Sequence, residues 1–324
     1  MNTTFVPHFS PNMEVQISNT ERNALLTIQE IVRNSHPGYV YLEVGSYLGG
    51  TLYPHLADPA CQQIYSVDLR PASQADERGR LFRYESSSTD RMRTILSQQL
   101  STESMSKLTT FDADLADVSS DQIGRLCDLI FIDAEHTNRA AFRDFLNAYP
   151  YAKADVIIMF HDANLIFDAL ENVESWLISK KIKYDSFVIP DNLFVIVMGI
   201  FIELGTPIFS QLEFDKKTYF HVARQTLQDY HGVRALRLYA SWCLIHGYRR
   251  QAARIHQYAL RYTTLNRTNM LEWVGDTHHD KQVFDKIERF TVNKQAVSDS
   301  HGPIDRLRNR LAMVLLGWLE RLLR

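Results

Sequence analysis

The sequence predicts an α/β fold: a doubly wound, mostly parallel seven-stranded sheet with an antiparallel closing hairpin, followed by an α-helical C-terminal domain. Three observations predict it. Apolar strand patterns alternate with helical patterns between residues 20 and 207, a glycine-rich turn follows the first strand, and only a short turn separates the last two strands. Near-continuous apolar strands are typical of a parallel sheet covered on both faces. A short link between strands allows only an antiparallel pair.

Composition limits the class of protein. The chain has 324 residues, 45% of them hydrophobic, which is enough for one large domain or two of ordinary size. A net charge of -3 offers no overall attraction to nucleic acid, so no nucleic-acid partner is expected. The three cysteines are too widely spaced for a disulfide framework, and the sequence has no signal-peptide pattern. We therefore expect a cytoplasmic protein.

The first strand and its turn are the feature around which the sheet is predicted to form. Tyr39–Val44 is aromatic and branched, and the turn that follows has the spacing Gly-x-x-x-Gly-Gly. This spacing differs from that of dinucleotide-binding and triphosphate-binding loops. Glycine lets a ligand lie directly against the backbone, and Glu43 at the strand end repels pyrophosphate but can accept from a cationic or amine group. The turn is predicted to bind a nucleotide-like ligand without a pyrophosphate.

Acidic residues end the next two predicted strands. The second strand, residues 63–69, carries Asp68 at its tip, about 20 residues beyond the glycine turn, where a carboxylate can accept both hydroxyls of a ribose. A weaker third strand, Leu108–Phe111, is followed by Asp112 and Asp114, and Asp114 is predicted to border an adenine. In each case an ordinary turn or cap carboxylate is the alternative.

The fourth and fifth strands, Cys127–Ile132 and residues 155–160, flank a predicted crossover helix at 137–149. Both strands end in residues with acidic or imidazole side chains, namely Asp133, His136, His161 and Asp162. Because parallel strands end at the same edge of a sheet, these side chains are predicted to converge on the crevice beside the glycine turn. Oxygen ligands suit magnesium, and manganese also accepts imidazole. Helix-capping aspartates and a buried, hydrogen-bonded histidine are the alternative.

This ordered set of strand ends resembles the class I S-adenosylmethionine-dependent methyltransferases, whose first motif has the form Glu-x-Gly-x-x-x-Gly. The resemblance covers residues 20 to 205. It implies S-adenosylmethionine as the cofactor. The cofactor-binding residues that it implies are Glu43, Gly45, Ser46, Tyr47, Gly49, Thr51, Asp68, Asp114 and Asp133.

The last two strand ends resemble more narrowly the metal-dependent O-methyltransferases that act on catechols and sugar hydroxyls. This resemblance implies that Asp133, His161 and Asp162 bind a divalent metal, magnesium or manganese. It implies His136 as the general base, with Asp133 as its catalytic partner at the metal. An unperturbed imidazole has a pKa near ~6.5, which suits a base at neutral pH. His161 departs from the pattern, in which an acid is more common.

The predicted reaction is therefore metal-assisted O-methylation of a hydroxylated small molecule, a sugar or a related natural product. Two other functions stay open. One is a hydroxylase-type tailoring enzyme on the same fold, for which His161 suits a redox metal. The other is a non-catalytic scaffold that binds partners through its C-terminal helices.

The predicted domains are an arm at 1–19, the sheet domain at 20–207, a helical domain at 208–290, a polar linker at 291–303 and a basic amphipathic helix at 304–324. Within the helical domain, helices are predicted at 219–230, 233–246 and 249–262, with breaks at Gly232 and Gly247. The last helix is predicted to contact its own domain or a second subunit of a homo-oligomer. Peripheral contact with a membrane is the alternative.

Overall fold

The computed structural model describes residues 5–84, 86–189, 191–245 and 250. The chain divides into two compact units, Met1–Arg224 and Gln225–Arg324. The division falls within a helix, after the boundary at 207 that the sequence predicts. The predicted helix at 249–262, the linker at 291–303 and the amphipathic helix at 304–324 lie outside the described residues, apart from Arg250.

The strands of the described residues are, in chain order, β1 Tyr39–Val44, β2 Cys61–Val67, β3 Ser73–Ala75, β4 Leu81–Arg83, β5 Leu108–Phe111, β6 Cys127–Ile132, β7 Ala152–Phe160, β8 Tyr184–Ile189 and β9 Leu193–Met198. Seven of them form one sheet in the order β5-β2-β1-β6-β7-β9-β8, and β3 pairs with β4 separately. The pairs from β5 to β7 are parallel, whereas β9 is antiparallel to both of its neighbours. The predicted sheet is confirmed.

The helices of the described residues are, in chain order, α1 Asn19–Ser35, α2 Tyr53–Ala57, α3 Thr89–Ser97, α4 Thr102–Ser106, α5 Asn138–Ala148, α6 Phe167–Ser179, α7 Ile200–Phe209 and α8 Lys216–Ile245. Every residue of β1, β6 and β9 is buried, as expected for central strands of a sheet covered on both faces. Among the described residues, no helix is both long and apolar enough to cross a bilayer.

One helical prediction needs correction. Strand β9 ends at Met198, because Gly199 turns the chain with φ 61° and the Ile200 N–H donates to the Asp155 carboxylate at 2.9 Å, which starts α7. The break predicted at Gly232 is absent, and α8 runs through it. A glycine weakens a helix by only about 1 kcal/mol and keeps its backbone hydrogen bonds, so it does not have to end one.

Two segments bring unexpected residues to the carboxyl edge of the sheet. The β3–β4 hairpin follows β2, and its strands are three residues each. Residues 5–18 contain no helix or strand. Met13 is nevertheless buried, and a Cβ at Gly50 would meet the backbone of Glu14 and the side chain of Val15. The segment before α1 therefore lies against the glycine turn.

Candidate active site

A cavity of about 870 Å³ lies at the carboxyl ends of the parallel strands. Its walls are the turn after β1, the end of β2, the turn after β5, and the residues that follow β6 and β7. Residues 14–18 and the β3–β4 hairpin complete it. The first set of walls was predicted from the strand ends, and the last two segments were not.

The glycine turn is fixed by close backbone contacts. Gly45 has φ 92°, and a Cβ there would overlap the carbonyl oxygen of Asp133 on the neighbouring strand end. Gly49 has φ 79°, and a Cβ there would press on Met92 of α3. Both glycines are required by geometry. Gly45 lines the cavity, whereas Gly49 faces α3 and serves the packing of the turn.

Asp68 holds the same turn from the end of β2. Its Oδ2 accepts the N–H groups of Ser46 and Tyr47 at 3.0 and 2.9 Å, and its Oδ1 accepts the N–H of Arg70 at 2.8 Å. The Arg70 guanidinium lies 3.2 Å from Oδ2. Asp68 lines the cavity, as predicted, but the alternative of a turn carboxylate also describes it. Its contact with a ribose stays a prediction.

Glu43 does not line the cavity, contrary to the prediction that it contacts the ligand. Its side chain is fully buried behind the turn, where the hydroxyls of Tyr41 and Thr51 donate to its two oxygens at 2.5 and 2.6 Å. Burial raises the pKa of Glu43 to about 8, and the nearby charges of Asp133 and Asp68 act in the same direction. Glu43 supports the turn through Thr51, which does line the cavity.

Asp114 lies in the cavity wall after β5. Its Oδ1 accepts the N–H of Ala116 at 3.0 Å, which caps a short 3-10 turn, and its Oδ2 lies 3.1 Å from the Arg143 guanidinium. Asp114 therefore lies in the ligand cavity and also caps a turn, so its predicted contact with an adenine stays a prediction beside the alternative of a cap carboxylate.

The four predicted residues after β6 and β7 come together. One ligand atom from each of Asp133, His136, His161 and Asp162 lies within 4.8 Å of every other. His136 has one ring nitrogen on each aspartate: Nε2 is 3.3 Å from Asp133 Oδ1, and Nδ1 is 2.7 Å from Asp162 Oδ2. His161 Nδ1 lies 3.2 Å from Asp133 Oδ1 and 3.6 Å from Asp162 Oδ2. We call this set the strand-end cluster.

Charge within the strand-end cluster is balanced internally. Burial alone lowers the pKa of a histidine, but the carboxylates of Asp133 and Asp162 outweigh it and raise the pKa of His136 to about 10. The same competition holds the pKa of His161 well above its usual range. In this arrangement the carboxylates of Asp133 and Asp162 favour the protonated imidazole of His136.

Asp162 has φ 53°, in the left-handed region that aspartate tolerates better than most residues. The carbonyl of Asp162 accepts the N–H groups of Leu165 and Ile166 at 2.8 and 3.2 Å, so the chain turns at once toward α6. Such conformations cost roughly 1–3 kcal/mol and persist where the surroundings enforce them. Here the turn places the Asp162 carboxylate on His136.

Two of the cavity residues that sequence reasoning missed lie close to predicted site residues. Glu21 lines the cavity from the first turn of α1, 3.2 Å from His161 Nε2. Its spacing from Ser18 is that of a capping box, which predicts a helix start but not a place beside His161. Tyr84 follows the β3–β4 hairpin with its ring 5.5 Å from that of Tyr47. Burial raises the pKa of Tyr84 to about 12, helped by the charges of Asp133 and Asp162.

Comparison with known proteins defines the class. Residues 42–163 match the model of a family described as a methyltransferase domain. A search of curated proteins found no match. Solved structures with similarity to the chain include an O-methyltransferase from Bacillus cereus in complex with SAH, at 13% identity over 57% of this chain and 83% of that chain, with a TM-score of 0.40. Another is the N-methyltransferase NodS from Bradyrhizobium japonicum WM9 in complex with S-adenosyl-L-homocysteine, at 13% identity over 56% and 88%, with a TM-score of 0.39.

The family match, the strand order and the glycine turn agree on one class. Residues 42–163 form the core of a class I S-adenosylmethionine-dependent methyltransferase domain. The prediction of an enzyme that uses S-adenosylmethionine is confirmed at this level.

Proposed function

We propose that the chain transfers the methyl group of S-adenosylmethionine to a hydroxyl oxygen of a small molecule, with the assistance of Mg²⁺ or Mn²⁺. One observation carries this proposal: the strand-end cluster opens into the same cavity as the glycine turn. A sulfonium methyl group is already activated, so catalysis requires mainly that the acceptor oxygen be aligned and deprotonated. The proposed acceptor is a sugar or a related natural product, as the resemblance of the strand ends implies.

The donor set of the cluster fits a divalent cation. Asp133, His161 and Asp162 would hold it, because their ligand atoms already converge and the cavity reaches them. A cation bound there supplies charge that lowers the pKa of an acceptor hydroxyl. Among the described residues, the close cationic partners of the two aspartates are the imidazoles of His136 and His161.

His136 is the proposed base, on one condition. Because both of its ring nitrogens contact carboxylates, the pKa of His136 is raised to about 10, which favours the protonated ring. It accepts a proton at neutral pH only when another positive charge engages Asp133 and Asp162. The proposed base and the proposed cation are therefore linked: the first works only with the second.

Two aromatic side chains of the cavity are the proposed contacts of the acceptor. Tyr47 belongs to the glycine turn, and Tyr84 lines the same cavity with its ring 5.5 Å from that of Tyr47. The hairpin before Tyr84 is tied to the cluster, since the Glu77 N–H donates to the His136 carbonyl at 2.9 Å and the Glu77 carboxylate accepts the Asn138 N–H at 2.8 Å. An acceptor ring stacked on Tyr84 would have its hydroxyl near Asp133 and Asp162.

The test is methyl transfer from isotopically labelled S-adenosylmethionine to a panel of glycosides, catechols and amines. We expect labelled methyl ethers with Mg²⁺ or Mn²⁺, and their loss with a chelator or in Asp162→Asn. The matched control is Asp168→Asn, which removes the same charge from an exposed position on α6 paired with Arg224. Transfer to amines alone, or ether formation that the chelator leaves unchanged, would contradict the proposal.

A further inference from the structure

Glu21 connects the start of α1 to the strand-end cluster. The residue is 2% exposed, although it lies at the N-terminal end of a helix whose opposite face is in solvent. Its Oε2 accepts the Ser18 N–H at 2.7 Å, and its Oε1 accepts the Asn192 N–H at 3.1 Å. The same Oε1 lies 3.2 Å from His161 Nε2. The carboxylate thus joins three segments: the arm before α1, the turn between β8 and β9, and the end of β7.

The two ring nitrogens of His161 face different partners. Nδ1 points at Asp133 and Asp162, whereas Nε2 points away from the cluster at Glu21. Nε2 is fully buried and makes no well-aligned hydrogen bond, so Glu21 Oε1 is its close acidic neighbour. A carboxylate can only accept, so it favours the proton on Nε2. A neutral His161 with that proton directs the lone pair of Nδ1 into the cluster.

We propose that Glu21 is a positioning residue that fixes His161 as an Nδ1 ligand of the cation in the strand-end cluster. This inference rests on the metal-assisted reaction proposed above and deepens it. A carboxylate on the far nitrogen fixes the ring orientation and tautomer of a metal-binding histidine and makes it a stronger donor. Because imidazole suits Mn²⁺ better than Mg²⁺, the site should prefer Mn²⁺. Glu21 lies on α1, outside the matched span 42–163.

A purely structural role for Glu21 must be separated from this one. Glu21 and Ser18 form a capping box, so removing the carboxylate also weakens the start of α1. Ser18→Ala removes the hydroxyl half of the box, which accepts the Glu21 N–H at 3.1 Å, and leaves the carboxylate beside His161. That variant reports the loss of the cap together with the hydrogen bond from the Ser18 hydroxyl to the Asp191 carboxylate.

The experiment is a double-variant cycle read by Mn²⁺ affinity. Titrations followed by electron paramagnetic resonance would use wild type, Glu21→Gln, His161→Asp and the double variant, with melting temperatures for each. We expect Glu21→Gln to weaken Mn²⁺ binding by about 10–100-fold, the usual effect of losing such a partner. In the His161→Asp background, no imidazole remains to be oriented, so the same change should leave the affinity unchanged. Ser18→Ala should lower the melting temperature and keep the affinity.

Each other outcome overturns the proposal in a distinguishable way. If Glu21→Gln weakened Mn²⁺ binding equally in the wild-type and His161→Asp backgrounds, Glu21 would act only as a helix cap. Unchanged affinity in Glu21→Gln, with tight binding by wild type, would reject the positioning role and leave the metal-assisted reaction standing. A folded wild type that binds S-adenosylmethionine but no Mn²⁺ would reject both.

Discussion

The glycine turn and the strand-end cluster hold their acidic residues in different ways. On the glycine-turn side, Glu43 is bound by two hydroxyls and Asp68 by three backbone N–H groups and Arg70. In the strand-end cluster, Asp133 and Asp162 have imidazoles as their close partners. The first arrangement shapes the backbone. The second holds side chains whose protonation and partners can change.

This difference separates scaffold from chemistry. The backbone and hydroxyl donors that bind Glu43 and Asp68 do not titrate near neutral pH, so we expect the glycine turn to keep one conformation. Imidazoles can lose a proton and release their acids. Substitutions in the glycine turn should therefore act on folding and cofactor binding, whereas those in the strand-end cluster should act on rate.

The largest effect is expected at Gly45. In Gly45→Ala the new Cβ would overlap the Asp133 carbonyl oxygen at φ 92°, so we expect no S-adenosylmethionine binding and severe destabilisation. Gly38→Ala is the matched control, with φ 87° but ordinary contact at 3.5 Å with Gln62, and should cost only roughly 1–2 kcal/mol for the left-handed backbone. Urea unfolding and calorimetric titration would measure both. Equal effects of the two substitutions would refute the role given to the Asp133 contact.

The next effect in size is catalytic. His136→Gln should lower the methylation rate by about 10²–10⁴-fold, the usual contribution of a general base, while the affinity for S-adenosylmethionine is kept. His221→Gln, at an exposed position of α8, is the control and should leave the rate unchanged. Steady-state kinetics and calorimetry check the prediction. A loss confined to cofactor binding would show that His136 serves the cofactor instead.

A smaller effect concerns stability and pH. The pKa of Glu43 is raised from 4.5 to about 8 by burial, so between these values the folded protein holds a proton that the unfolded chain has released. This linkage makes stability fall as pH rises, by up to about 1.4 kcal/mol per pH unit. Glu43→Gln should flatten that slope in urea unfolding between pH 5.5 and 7.5. Glu30→Gln, at an exposed position of α1, should not. Parallel slopes for wild type and Glu43→Gln would contradict the raised pKa.

The sheet could be predicted because its strands are buried on both faces and leave an apolar pattern. The predicted and observed ends of β6 agree, and the strand ends placed the cluster correctly at one edge. The β3–β4 hairpin could not be predicted, because its short strands are half exposed and carry no such pattern. The place of Glu21 depends on how α1 meets β7, which no local spacing encodes. The raised pKa of His136 likewise depends on distances between side chains.

The central claim is that the glycine turn and the strand-end cluster serve one reaction. It is tested most directly by the ¹³C resonance of S-adenosylmethionine labelled in its methyl group and bound to the protein, recorded with Mn²⁺ and with diamagnetic Mg²⁺. We predict strong broadening of the methyl signal by Mn²⁺, absent with Mg²⁺ and in a variant with both Asp133→Asn and Asp162→Asn. A methyl signal that stays sharp while both cofactor and Mn²⁺ are bound would contradict the account, because cation and methyl group would then lie apart.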